Sequence, residues 1–213
     1  SQARHIKKLR PGDLLGNRFE ILLREVKGDR AAIERNLTLV KQHGVPNYFG
    51  PQRFGQAGDN VANGMAMLKR EIRVRNKKKK GIYLSSVRSF LFNEVLAARI
   101  RSGLWGQSLK GDILTDEGVA TGPMWGRGRL TTTDDALALE SEIAEQHPEL
   151  CEGLEFSGLN QDRRALAAMP GNMTWSWPEE SHLLLTFSLP AGYYATSLIR
   201  ECIETTEPER YVP

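Results

Sequence analysis

The sequence predicts an α+β fold, and three observations carry that reading. Alternating apolar residues at 17–26 and 182–189 mark strands, whereas 29–43 and 84–102 carry apolar stripes at helical spacing. These elements follow one another without the regular strand–helix beat of a doubly wound sheet. The chain has 213 residues, of which 40% are hydrophobic and 26% charged, ordinary values for one or two globular domains with real cores. No internal repeat is visible.

Each element has a local reason. In NRFEILLREV (17–26), Phe19, Ile21 and Leu23 alternate with Glu20 and Leu22, which gives a strand. Asp29 is a helix cap, and Ile33, Leu37 and Val40 form the stripe of the helix it starts. Gly44 and Pro46 stop that helix. The loop GVPNYFGPQRFG (44–55) follows, rich in Gly and Pro yet holding three aromatic rings. Residues 59–70 predict a short helix carrying Val61, Met65 and Leu68. KREIRVRNKKKK (69–80) holds eight basic residues and one acid. Helix 84–102 presents Leu84, Val87, Leu91, Val95 and Ala98, and Gly103 ends it. The stretch 104–131 contains six glycines and reads as loop with short strands. Thr133 is expected to cap a helix over 134–147, with Ala136, Leu139 and Ile143 inward. A further short helix is expected over about 160–168. MTWSW (173–177) and HLLLTFSL (182–189) are strands, a turn follows at 190–194, and a helix starts at Ala195.

Charge is divided unevenly. Residues 1–130 hold 25 Lys and Arg against 11 Asp and Glu; residues 131–213 hold 4 against 15. A basic stretch within a chain of net charge +3 points to an anionic partner, nucleic acid first. Cys151 and Cys202 form no C-x-x-C, and with His5, His43, His147 and His182 they give no metal-ligand spacing. Reduced thiols in a cytoplasmic protein are expected, with no metal and no cofactor. No apolar run reaches the roughly 18–20 residues of a membrane span. Nucleophile-elbow, phosphate-loop, zincin and dinucleotide motifs are absent from the sequence.

Several segments bear two readings. The run containing Arg70, Arg73, Arg75, Lys77, Lys78 and Lys79 is either a phosphate-contacting patch or a solvated loop. Tyr48, Phe49 and Phe54 around Arg53 either plug a small core or stack bases, and Arg53 is the stronger functional candidate of that loop. Asn17 and Phe19 share one strand face, where an amide beside a ring could hold a pyrimidine; a turn Asn and a core Phe are the plain reading. Tyr193 and Tyr194 follow Gly192 in a turn that could present a ring to a ligand.

Four segments together resemble the TruD family of tRNA pseudouridine synthases: GNRFEILLRE (16–25), GVPNYFGPQRFG (44–55), RSFLFNEVLAAR (88–99) and LPAGYYATSLIRE (189–201). They run through the chain in the family's order. The resemblance implies a pseudouridine-synthase catalytic domain, with a mixed, largely antiparallel sheet, interrupted by an inserted α+β TRUD domain. The catalytic segments would be 1–43 and 169–213, and the insert 44–168. It implies conversion of a uridine in the D-stem region of certain tRNAs to pseudouridine, with Asn17, Phe19 and Tyr194 lining the uridine pocket. Tyr194 stands where the family often has Phe.

The family's nucleophilic Asp belongs to a G-x-K-D-K/R-x-A-x-T-x-Q segment upstream of the Gly-Asn-x-Phe segment, and 1–213 does not contain it. Lys27-Gly28-Asp29-Arg30-Ala31 is a decoy, because Gly28 separates Lys from Asp and no T-x-Q follows. The chain is therefore expected to be inactive alone, and strands 17–26 and 182–189 to share a sheet with an exposed apolar face. The alternative function is a non-catalytic tRNA-binding module or RNA chaperone.

Overall fold

The computed structural model describes residues 16–204. The ends of the expected catalytic segments 1–43 and 169–213, at 1–15 with His5 and at 205–213, lie outside the described residues. In chain order the elements are β1 (Gly16–Leu23), α1 (Arg30–His43), β2 (Val45–Pro46), α2 (Pro51–Phe54), α3 (Asp59–Leu68), α4 (Lys77–Arg101), β3 (Thr121–Met124), α5 (Asp134–Gln146), α6 (Pro148–Glu155), β4 (Asp162–Ala165), β5 (Ala167–Ala168), β6 (Gly171–Glu179), β7 (His182–Pro190) and α7 (Ala195–Cys202). They divide into two compact units, one from 1–45 with 168–213 and one from 46–167.

The first unit is an antiparallel sheet of order β1-β7-β6 backed by α1 and α7. Strand alternation decides its faces. Leu183, Leu185, Phe187 and Leu189 of β7 point inward and are buried, as is Met173 of β6. They meet Ile33, Leu37 and Val40 of α1 and Leu198, Ile199 and Cys202 of α7. Phe19, Ile21, Leu23, Trp175 and Trp177 close the edges of this core. Asp29 caps α1, its Oδ1 accepting from the Ala31 backbone N–H at 2.9 Å. The opposite sheet face carries Arg18, Glu20, Thr174, Ser176, Thr186 and Ser188; its large apolar side chains are Leu22, 42% exposed, and its cross-strand neighbour Leu184. The expected apolar face is thus corrected to a polar one, since the outward positions of all three strands are mainly hydrophilic. β1 has no partner on its other edge among the described residues.

The second unit is built around α4. Tyr83, Leu84, Val87, Leu91, Phe92, Val95 and Leu96 are buried on it, so it is wrapped over much of its circumference. Its buried Ser86 and Ser89 return their hydroxyls to the carbonyls of Ile82 and Ser85. β3 and β4 form an antiparallel pair with Thr121 opposite Ala165.

Four expectations for this unit are corrected. α4 begins at Lys77, so the four lysines are its first turn; Asn76 Oδ1 caps it by accepting from Lys79 N at 3.0 Å. Thr133 occupies the cap position of α5 without a side-chain capping bond. Pro148, just past the helix expected over 134–147, opens a further helix, α6, where the missing N–H of a first-turn proline does no harm. The helix expected at 160–168 is instead β4 and β5. There Arg163 extends sideways to donate to Thr121 O (2.6 Å) and Glu140 Oε1 (2.6 Å). Pairing with β3 and this ion pair outweigh the helix propensity of DRRALAA.

Candidate uridine pocket and nucleic-acid interface

In the first unit the register brings two of the sequence-predicted segments to one end of the sheet. Gly16 lies opposite Pro190, Asn17 opposite Leu189, and Phe19 opposite Phe187. The β1–β7 approach at Gly16 is so close that a Cβ there would run into the Leu189 carbonyl, which is why the segment starts with glycine. Pro190 then opens the turn: the Tyr193 N–H donates to the Pro190 carbonyl at 3.3 Å, and Tyr194 stands at the N-cap position of α7. Asn17 and the Pro190–Tyr194 turn thus belong to the same sheet end.

Asn17 is exposed, and its carboxamide has no hydrogen-bond partner among the described residues. It borders an open groove of about 430 Å³ shared with Gly16, Arg18, Met169, Gly171 and Pro190. Phe19 is half-buried and stacks on the buried Phe187, with ring centroids 5.4 Å apart and 29° between planes. Phe19 therefore belongs to the core margin, and Phe187 holds its ring in place. Tyr194 is half-buried as well. Trp177, also at the margin of this unit, donates its indole N–H to Glu34 Oε1 at 3.0 Å, and the Arg30 guanidinium lies 4.7 Å from its ring centroid.

In the second unit the aromatic loop is a built corner. Phe49 is buried, and its backbone N–H and C=O are both taken by Asn93 of α4, at 3.0 and 3.1 Å. It meets Phe92 edge-on, while Arg53 and Arg164 lie 5.3 and 4.2 Å from its ring centroid. Arg53 is half-buried, donates Nη1 to Ser85 Oγ at 3.1 Å, and its carbonyl accepts from Ser86 Oγ. Asn47 donates to the Ala165 carbonyl and accepts from Arg164 at 2.7 Å. The Arg88 guanidinium donates to the Met124 and Asn160 carbonyls, and its burial holds its pKa below the usual arginine range, with Asp162 opposing. Asn47, Arg88, Asn93 and Arg164 were not singled out in the sequence. Each is a single polar residue whose partner lies far away in the sequence, so only folding brings the pairs together.

Every basic residue of the run 69–80 is exposed. Lys69 pairs with Glu149 at 2.9 Å, whereas Arg70, Arg73, Arg75, Lys77, Lys78 and Lys80 have no ion-pair partner among the described residues. Lys79 stands 5.7 Å from the Tyr83 ring centroid. Four cations in the first turn of α4 oppose the helix dipole, whose positive end is there.

Cys151 and Cys202 are free and buried, and burial pushes both thiols up to about 12. No helix of the described residues is long and apolar enough to cross a membrane.

Comparison with known proteins gives concordant results. A family model described as tRNA pseudouridine synthase D (TruD) matches residues 1–74. The tRNA pseudouridine synthase D of Hydrogenovibrio crunogenus is 39% identical over 94% of this chain and 64% of its own length. That of Vibrio parahaemolyticus is 38% identical over 97% of this chain and 65% of its own. A crystal structure from Methanosarcina mazei, described as a tRNA pseudouridine synthase D (TruD), superposes with a TM-score of 0.58. It covers 89% of this chain and 69% of that one at 17% identity, a likeness of fold alone. The chain spans about 64% of the length of the curated relatives it matches. Identity sustained over nearly all of its residues, on an α+β architecture of the same fold, makes the chain a member of the TruD family.

Proposed function

We propose that this chain is the larger part of a tRNA pseudouridine synthase that converts a uridine in the D-stem region of certain tRNAs to pseudouridine. Segments 1–43 and 169–213 belong to its catalytic domain and 44–168 to an inserted TRUD domain. The observation that carries the reading is the gathering of Asn17 and the Gly192–Tyr194 turn at one end of the β1-β7-β6 sheet, in a member of this family.

In this reading the uridine leaves its stack and enters the pocket as a flipped nucleotide. Phe19, backed by Phe187, and Tyr194 hold the base between rings, and Asn17 uses its unengaged carboxamide to orient the uracil edge or the nucleophile. A carboxylate attacks the nucleotide covalently, the glycosidic C–N bond breaks, the base turns and rejoins through C5, the bond to the carboxylate is released, and C5 gives up its proton while N1 takes one up. That carboxylate is the Asp that the family carries upstream of its Gly-Asn-x-Phe segment; Asp29, the decoy, is occupied as the cap of α1. The reaction is an isomerisation and calls for no redox partner. Arg70, Arg73, Arg75, Lys77, Lys78 and Lys79 make up the positive surface offered to tRNA, of which only part touches phosphate at once; Arg53, tied to Ser85 and Phe49, shapes the loop that meets the RNA.

Tritium release from tRNA carrying 5-tritiated uridine is the test. The complete protein is expected to release tritium and the 213-residue chain alone to release none. Tight tRNA binding by the complete protein without any release would favour the non-catalytic RNA-binding module instead.

A further inference from the structure

Phe156 is 80% exposed, an unusual state for so large a ring. It ends α6, whose Leu150, Cys151 and Leu154 are buried. Standing two residues beyond Leu154, it is off that inward stripe. The ring borders an open groove of about 500 Å³ floored by Leu68, Leu84 and Gly153, a size suited to a small ligand. Gly153 lets α3 and α6 close on each other there, because a Cβ would lie 2.9 Å from Leu68 Cβ. The groove is lined as well by Lys69, Arg70 and Lys80 from the α3–α4 segment and by Glu149 and Glu152 of α6. Lys69 is neutralised by Glu149, which leaves Arg70 and Lys80 facing the groove without ion-pair partners among the described residues.

We infer that this groove takes one unpaired nucleotide of a bound RNA, its base stacked on Phe156 and its phosphate held by Arg70 and Lys80. The inference rests on the RNA-binding part of the reading above and adds a second contact of different chemistry. A ring beside cations is the pairing that single-stranded nucleic acid uses, π-face to base and charge to backbone. The division of charge fixes the direction. Glu149 and Glu152 of α6 repel phosphate, so the backbone is held by Arg70 and Lys80, with the exposed Arg73, Arg75 and Lys77 between those two in the sequence. A blunt duplex offers no free base face and gains nothing from the ring.

The test is fluorescence anisotropy of the 213-residue chain with a labelled single-stranded RNA 12-mer, the same 12-mer as a duplex, and unmodified tRNA. Phe156→Ala is expected to weaken single-strand binding about tenfold, the loss of one base–aromatic stack, and to leave duplex binding within twofold. Phe156→Leu should behave like Ala, and Phe156→Trp should keep the affinity. The pair Arg70→Ala and Lys80→Ala should flatten the slope of log K against log salt for the single strand by about 1.4, from roughly 0.7 per phosphate contact. Because Phe156 is exposed, its variants are expected to melt with the unsubstituted protein. Unchanged single-strand affinity in Phe156→Ala overturns the inference, as does an equal loss for both RNA forms. So does a change confined to self-association in sedimentation, which would make the ring a contact between copies. If the unsubstituted chain binds tRNA while the Phe156 series stays flat, this inference alone falls. If it binds no RNA, the RNA-binding reading falls first.

Discussion

Replacing Lys77, Lys78, Lys79 and Lys80 together by Gln should weaken tRNA binding while making the protein melt higher. The two effects have one structural origin. The four lysines form the first turn of α4, so successive side chains step about 100° around the axis. One phosphate backbone passing along the helix meets at most the two that lie three apart, Lys77 and Lys80. At about 0.9 per duplex phosphate, the slope of log K against log salt should fall by about 1.8. Four lysines in an extended loop could all be engaged, and the fall would approach about 3.6. Meanwhile the same cations oppose the positive end of the helix dipole. Their removal should stabilise the turn by an amount on the order of 1 kcal/mol, which for a chain of this size raises Tm by about 2–4 °C. Filter binding across a salt series and a thermal melt in low salt measure both. A slope change near 3.6, or a lowered Tm, would refute the helical placement of the run as the basis of its action.

Arg99→Met should destabilise the second unit by about 3–5 kcal/mol in urea unfolding, because it strands the buried Asp112 carboxylate, which otherwise accepts from both Arg99 and the Leu109 N–H; Arg99→Met with Asp112→Leu should recover much of that loss. Gly16→Ala should cost at least about 1 kcal/mol in the same assay, since its Cβ meets the Leu189 backbone. In the complete protein, Asn17→Ala and Tyr194→Ala should lower kcat by at least tenfold with little change in tRNA affinity, while Tyr194→Phe keeps most of the activity; unchanged turnover would remove their pocket roles. For Cys151 and Cys202 the folded pKa is raised, so their contribution is fully present below the unfolded value near 8.5 and is lost as pH rises toward about 12. The urea midpoint should therefore be flat between pH 7 and 8 and decline above pH 9, and the decline should be shallower in the double Cys→Ala protein.

What the sequence determines by itself is local chemistry. Asp29 caps α1 because a short carboxylate ahead of a helical stripe has that one good use, and the structure bears it out. β1, β6, β7, α1, α3, α5 and α7 are legible from periodicity, since each buries one face and writes that face at its own period. The basic run is legible as solvated, yet its helical state is not, because lysines at a helix N-terminus contradict the dipole and only the packing of α4 behind them overrides it. Strand β4 was hidden for the same reason: DRRA has helix-forming residues, and its extended state comes from β3 and from Glu140 waiting for Arg163. The groove beside Phe156 has no sequence signature, because its walls come from α3, α4 and α6 and exist only once Gly153 lets two helices close together. The gathering of Asn17 with the Pro190–Tyr194 turn across some 170 residues is likewise a matter of β1–β7 register. Periodicity names the face a residue takes within its own element; which distant element it then meets is settled by the pairing of strands and the crossing of helices.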